Sequence, residues 1–406
     1  MRAPVFATWL VTALAALLGA VVVAQETGRR AGRGEEYSLP PDARALRIGD
    51  PAPDFALKGV DDRTYRLADF KDAKVLMVIF LSNHCPYSHA AETRLLPLAA
   101  EFKPRGLAVV AINPNHPDAV RLDELGYSKY DDSFEHMKLY AREAGFTFPY
   151  LYDGDTQATA KAYGCLVTPH VFIFDGERKL RYQGRFDDSR FADPATVTSP
   201  DARNAVEALL AGRPVPVAET RPFGCSTKWL TKTQEVRAVE AQWKSAPVVL
   251  ERIDAAGVAA LARNPTSKLR LVNLWATWCA PCVREMPGLV AISRRLANRD
   301  FELITLSLDD PKHESRVQAF LESHHVAVPN RVQRSLKAEG RRTNNYLFAD
   351  ASTDALAQAL DPEWRGPLPH SVLIAPGGKI LWRHTGEVDT HKLLERILDE
   401  LGPYYK

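Results

Sequence analysis

Apolar and polar positions along this chain spell one plan twice. An uncharged apolar run, Ala3 to Ala24, gives way to a polar stretch, Gln25 to Arg47. "KVLMVIFL", ending at Leu81, is apolar at consecutive rather than alternate positions, which predicts a strand covered on both faces, as in a parallel sheet. Pro86 stands where a helix can start, because its missing N–H is not needed there, and predicts a helix over Pro86–Phe102 bent at Pro97. "LAVVAIN" then reads as a strand, "DDSFEHMKLYAREAG" as a helix, and "HVFIFDGERKLRYQG" as a hairpin turning at Asp175-Gly176.

The second half repeats the order. "LRLVNLWA" predicts a strand, Ala280 to about Leu296 a helix, "ELITLSL" a strand, Glu314 to His324 a helix, and "HSVLIAPGGKILWRH" a hairpin. In both copies a proline directly precedes the hairpin: Pro169 in "TPHVFIF" and Pro369 in "LPHSVLI". The long run from Val326 to Gly366 is expected to be largely helical, with Thr353 capping "TDALAQAL" and "DPEW" ending it. The proline-rich "AGRPVPVAETRPFGCSTKW" reads as part of an extended connection. The expected organisation is a targeting segment over 1–24, a polar linker over 25–46, a first domain over 47–213, a linker over 214–244 and a second domain over 245–406.

Composition narrows the function. A chain of 406 residues with 46% hydrophobic content allows about two to three domains with proper cores. A net charge of +2, without basic and aromatic clusters in company, excludes a nucleic-acid-binding footprint. Val22 and Ala24 fit a signal-peptidase site, so cleavage after Ala24 and a periplasmic or otherwise extracytoplasmic location are expected. The rival reading is an uncleaved membrane anchor, since the run is about long enough to span a bilayer.

Five cysteines, Cys85, Cys165, Cys225, Cys279 and Cys282, are too few for a disulfide-stapled scaffold. Only Cys279 and Cys282, in "WATWCAPC", are spaced as a redox pair or half a zinc site, and no second cysteine or histidine pair completes the latter. A cysteine between a buried strand and the first turn of a helix has its thiolate stabilised by unpaired N–H groups and the helix dipole. Two intervening residues let Cys282 return across the turn and close a disulfide. Trp275 and Trp278 read as packing and rim residues, and His370 as structural or as a substrate contact.

Trp278-Cys279-Ala280-Pro281-Cys282, with Glu285, Met286, Pro287 and the later Leu368-Pro369, resembles the extracytoplasmic thiol:disulfide oxidoreductases of the ResA and TlpA group, related to cytochrome c maturation reductases. The resemblance implies a thioredoxin fold over about 247–401, with Cys279 as nucleophile, Cys282 as resolving thiol and Pro369 in the cis form. It also implies protein disulfide substrates, an upstream thiol electron donor and no organic cofactor. Glu285 matches an acid of that family that helps to deprotonate the buried thiol; the alternative is an exposed helix carboxylate.

The first domain, through "GDPAPDFAL", Cys85 and Thr168-Pro169, resembles the redoxin and peroxiredoxin-like (AhpC/TSA) branch of the same superfamily. The fold expected of the whole is α/β, two tandem thioredoxin-like domains, each a mixed central sheet flanked by helices. Val78 stands where a peroxiredoxin would carry proline, and Ser88 denies Cys85 a partner within the motif. Four readings of Cys85 stay open. They are a redox thiol, acting as a monothiol or resolved by Cys165 or, as second choice, Cys225; a buried and inert thiol; a peroxidatic thiol with an antioxidant role; and a metal ligand with His89, with His84 and His170 as neighbours, as in a metallochaperone or docking module for assembly.

Overall fold

The computed structural model describes residues 37–350 and 352–405; the targeting segment expected over 1–24 lies outside the described residues. The first domain is built from β1 (Ala56–Gly59), β2 (Thr64–Arg66), β3 (Val75–Phe80), α1 (Pro86–Phe102), β4 (Leu107–Asn113), α2 (Phe134–Ala144), β5 (Tyr150–Tyr152), α3 (Ala158–Tyr163), β6 (Val167–Thr168), β7 (His170–Phe174), β8 (Leu180–Gly184), α4 (Asp201–Leu210) and β9 (Cys225–Ser226). Its sheet has the order β2-β1-β5-β4-β3-β7-β8. Strands β3, β4 and β5 run parallel, and β7 joins β3 antiparallel.

Every residue of β3 is buried, and successive side chains go to opposite faces. Val75, Met77 and Ile79 enter the core shared with α1 and α4, whereas Leu76, Val78 and Phe80 pack with Tyr163 and Phe172. A helix-covered parallel strand has no solvent face, which is why the sequence shows no alternation there. Val78, at the position where a peroxiredoxin carries proline, is one of these core residues.

The second domain follows α5 (Thr233–Ser245) and comprises β10 (Leu250–Ile253), α6 (Ala255–Ala262), β11 (Leu269–Trp275), α7 (Ala280–Arg295), β12 (Phe301–Ser307), α8 (Glu314–Ser323), α9 (Asn330–Ala338), β13 (Asn345–Phe348), α10 (Thr353–Leu360), β14 (His370–Ile374), β15 (Ile380–Thr385) and α11 (Thr390–Leu401). The sheet order is β10-β13-β12-β11-β14-β15. Both domains thus set a mixed sheet between helices, with Cys85 and Cys279 each a few residues beyond the strand paired to the hairpin.

Several expectations change. The run 326–366 is not simply helical: β13 passes through its middle and pairs in parallel with both β10 and β12. Ser352, not Thr353, caps α10, accepting from Ala355 N. The polar linker expected over 25–46 packs in part on the first domain, where Leu46 is buried. The segment 214–244 is no bare connection either. Cys225–Ser226 pairs antiparallel with Val167–Thr168, Trp229 is buried in the first domain's core, and α5 occupies the remainder.

The domains are docked. Arg295 Nε, at the end of α7, donates to Leu125 O at 3.0 Å, and Arg299 donates to Gly126 O at 2.5 Å and lies over the Tyr127 ring at 4.1 Å. A Cβ on Gly126 would come within 2.7 Å of Arg295 O, so this contact requires glycine. Beyond α11, Tyr405 lies against Tyr87 and Tyr127, with ring centroids 5.0 and 5.2 Å away.

Candidate active site: two cysteine centres

In the second domain, β11, paired on both sides, ends at Trp275, and Cys279 becomes the N-cap of α7, its Sγ accepting from Cys282 N at 3.4 Å. Cys279 and Cys282 are joined as a disulfide, with Cα atoms 5.3 Å apart. Thr277 N and Oγ1 donate to Asp309 at 2.8 and 2.5 Å, and Ser307 Oγ adds a bond at 2.8 Å. Buried Asp309 therefore fixes the turn that presents Cys279. Nothing in the sequence pattern singled it out, because its partners lie across two strand ends.

Cys282 is fully buried and Cys279 nearly so, while Trp278 beside them is 64% exposed and forms the rim. The Leu368-Pro369 peptide is cis. His370 is locked by Thr385 Oγ1 at 2.8 Å and Asp361 Oδ2 at 3.2 Å, a structural arrangement. Glu285 is not an exposed helix carboxylate. It is buried, accepting from Asn273 Nδ2 at 2.9 Å and Val388 N at 2.8 Å, and burial raises its pKa.

In the first domain Cys85 is the N-cap of α1 and entirely buried. Its Sγ lies 3.1 Å from Thr168 O, just before the cis Thr168-Pro169 peptide. Burial alone would raise its pKa. A hydrogen bond with the Cys225 thiol, the charge on His84 and the N–H groups of Ser88 and Cys225 outweigh burial and bring it to about 6. The Cys225 thiol is correspondingly pushed well up, first by that bond to Cys85 and then by burial.

His84 Nδ1 bonds Asp132 Oδ2 at 2.6 Å, both side chains being buried. Burial works against a charged imidazole, but the Asp132 carboxylate outweighs it and raises the pKa of His84. Asp132 is itself held by Asn83 N, Asn113 Nδ2 and Asn115 Nδ2 at 2.7, 3.1 and 2.9 Å. His84 had entered the reading only as a neighbour of a metal site; Asp132 was missed, since it sits 48 positions away in a polar loop.

The expected pairing of Cys85 with Cys165 is not what the fold brings together. The Cys165 sulfur bonds Val167 O at 3.4 Å and Thr227 Oγ1 at 3.5 Å in the apolar core, where burial pushes its pKa up. The metal set fails as well. His89 spends one ring nitrogen on Asn83 O at 2.9 Å and the other on Tyr140 OH at 2.9 Å, and burial lowers its pKa to about 4. His170 takes Leu166 N at 3.3 Å and is lowered to about 3 by burial. Among the described residues no three His, Cys, Asp or Glu side chains are grouped to hold a metal ion.

Residues 48–183 match the AhpC/TSA family and residues 260–399 match the Redoxin family. The chain is therefore a tandem of two redoxin/AhpC-TSA domains on thioredoxin-like folds. It is similar to thiol-disulfide oxidoreductase ResA of Bacillus cereus, 28% identical over 132 residues, which takes in 32% of this chain and 62% of the relative. The chain thus spans less than two thirds of that relative's length. ResA of Halalkalibacterium halodurans is 25% identical over 155 residues, or 38% of this chain and 73% of the relative. Among solved structures, an uncharacterized conserved protein from Geobacillus kaustophilus is 41% identical with a TM-score of 0.41, covering 46% of this chain and 94% of that one.

Proposed function

We propose that the protein is an extracytoplasmic thiol:disulfide oxidoreductase that exchanges disulfides with protein substrates through Cys279 and Cys282. The observation that carries this reading is the Cys279–Cys282 disulfide at the start of α7, next to the exposed Trp278 and packed by Leu368 of the cis Leu368-Pro369 peptide. The Cys279 thiolate attacks a substrate disulfide and forms a mixed disulfide, releasing one substrate thiol. Cys282 then attacks Cys279 Sγ, freeing the second substrate thiol and closing the pair. An upstream thiol protein returns two electrons and two protons. Glu285, its pKa raised by burial, is a carboxyl on the same helix as Cys282, suited to taking up the proton as Cys282 ionises.

The relatives' names, the two family matches and the uncharged run Ala3 to Ala24 support the activity and the compartment. The test is reduction of insulin, read as its turbidity. Cys279→Ser ends turnover and Cys282→Ser accumulates mixed disulfides; full turnover by Cys279→Ser would remove the assignment.

A further inference from the structure

Cys225 lies in a segment that reads as a connection, and no part of the proposed exchange at Cys279 uses it. The fold nevertheless invests in its position. Cys225 is paired across from Thr168, the residue whose carbonyl receives the Cys85 sulfur, so both thiols converge on one peptide group. The preceding Gly224 passes so close that a Cβ would stand 2.1 Å from Thr168 O; only glycine lets the strand in. Tyr37 OH donates to Gly224 O at 3.2 Å. His84, with Asp132 behind it, has a buried Nε2 that meets no hydrogen-bond partner among the described residues.

We propose that Cys85 and Cys225 form a second dithiol/disulfide centre, independent of Cys279–Cys282, that takes low-molecular-weight disulfides. The substrate class follows from access. Cys85 has no exposed surface and Cys225 is only partly exposed, and the aromatic rings of Tyr87, Phe223 and Tyr405 gather at the site. The Cys85 sulfur is reached only past this aromatic cover, which a small disulfide can enter once Tyr405 swings aside and a folded protein cannot, whereas Cys279 lies beside the exposed Trp278.

The steps balance. The Cys85 thiolate attacks one sulfur of RSSR, forming a Cys85–SR bond and expelling RS⁻. The Cys225 thiol gives its proton to the expelled thiolate, and its sulfur attacks Cys85 Sγ. The second RS⁻ leaves as the Cys85–Cys225 bond closes and takes up from solvent the proton that Cys85 released on ionising. Two protein thiols are oxidised by two electrons and RSSR is reduced to two thiols. The low pKa of Cys85 supplies the thiolate near neutral pH, and the high pKa of Cys225 keeps the proton on the resolving sulfur until it is needed.

The experiment uses the full chain carrying Cys279→Ser and Cys282→Ser, which silences the second domain, so failure here is separate from failure of the insulin assay. Glutathione disulfide is the probe, followed by acid quenching, alkylation and non-reducing peptide mapping. The expected result is loss of two thiols, a Cys85–Cys225 cross-linked peptide, and Cys165 recovered alkylated after denaturation. Adding Cys225→Ser should leave a glutathione adduct on Cys85 that persists at least about tenfold longer than in its parent. A Cys85–Cys165 link, a lasting adduct with Cys225 intact, or no reaction at Cys85 would each overturn the proposal. Insulin oxidising the pair as fast as glutathione disulfide would overturn the substrate class. The mapping in the parent needs no Cys225 variant, so a misfolded variant does not blunt it.

Discussion

Cys85 and Cys279 hold the same station: each follows a buried strand, caps a helix whose first turn carries a proline, and lies near a cis-proline peptide. What differs is where the partner sulfur comes from. Cys282 is one helical turn away and needs only the backbone of α7 to reach Cys279. Cys225 stands 140 residues beyond Cys85 and arrives on a separate strand, threaded past Thr168 by a glycine. A local partner leaves the site open, with Trp278 at its edge. A distant partner covers the site, and the buried cysteine then depends on the Cys225 thiol, His84 and neighbouring N–H groups to have its pKa lowered.

That contrast is most sharply broken at the two nucleophiles. Cys279→Ser should lower insulin reduction by about a thousandfold or more, as expected for loss of a covalent nucleophile, whereas Cys85→Ser should leave most of it. Equal losses would mean that the two centres work in series. Turbidity rates of the two variants decide this.

The buried surroundings of Cys85 also carry a pH signature. Glu92 bonds Tyr140 OH, its other oxygen has no partner among the described residues, and burial raises its pKa to about 8 from 4.5. Because the folded state holds this proton more tightly, the stabilisation is complete below the unfolded value and is lost as pH rises through the folded one. First-domain stability should therefore fall between about pH 4.5 and 8, by something on the order of 5 kcal/mol from this group. Glu92→Gln should flatten the fall, as read from the melting temperature across that range. The second domain's melting should not respond.

A smaller effect tests the electrostatics. Asp132→Asn removes the carboxylate that raises the His84 pKa, so the Cys85 titration should move up from about 6 by about one unit. Thiolate absorbance of the chain with Cys279→Ser and Cys282→Ser reads it. An unmoved midpoint would show that N–H groups and Cys225 alone make the thiolate. The mildest change is Tyr405→Ala, which opens the aromatic cover and should speed alkylation of Cys85 severalfold while leaving Cys279 reactivity unchanged.

The tandem fold was legible because each buried strand and each capped helix declares itself locally: α1 and the start of α7 fall where their prolines place them, and both hairpins follow theirs. The pair Cys279–Cys282 was legible for the same reason, since spacing and geometry coincide within one turn. Strand β13 was not, because a four-residue strand between helical patterns takes its identity from β10 and β12. Asp132 was hidden, and Cys225 ranked only second to Cys165, by a similar cause. Their roles exist only in relation to Thr168 and His84, which contact across long stretches of chain, and a proline-rich stretch looks the same whether it hangs free or lines a site.

The docking of α7 gives the chain a polarity. Cys279 sits at one end of this helix and Arg295, at the other, is bonded to the first domain. Sixteen residues of helix span about 24 Å, while sulfur exchange demands that the sulfurs touch. In the docked state the two centres are two ports of one body, served by separate traffic, and any current between them has to be carried by a diffusing thiol or wait for the domains to part at Gly126.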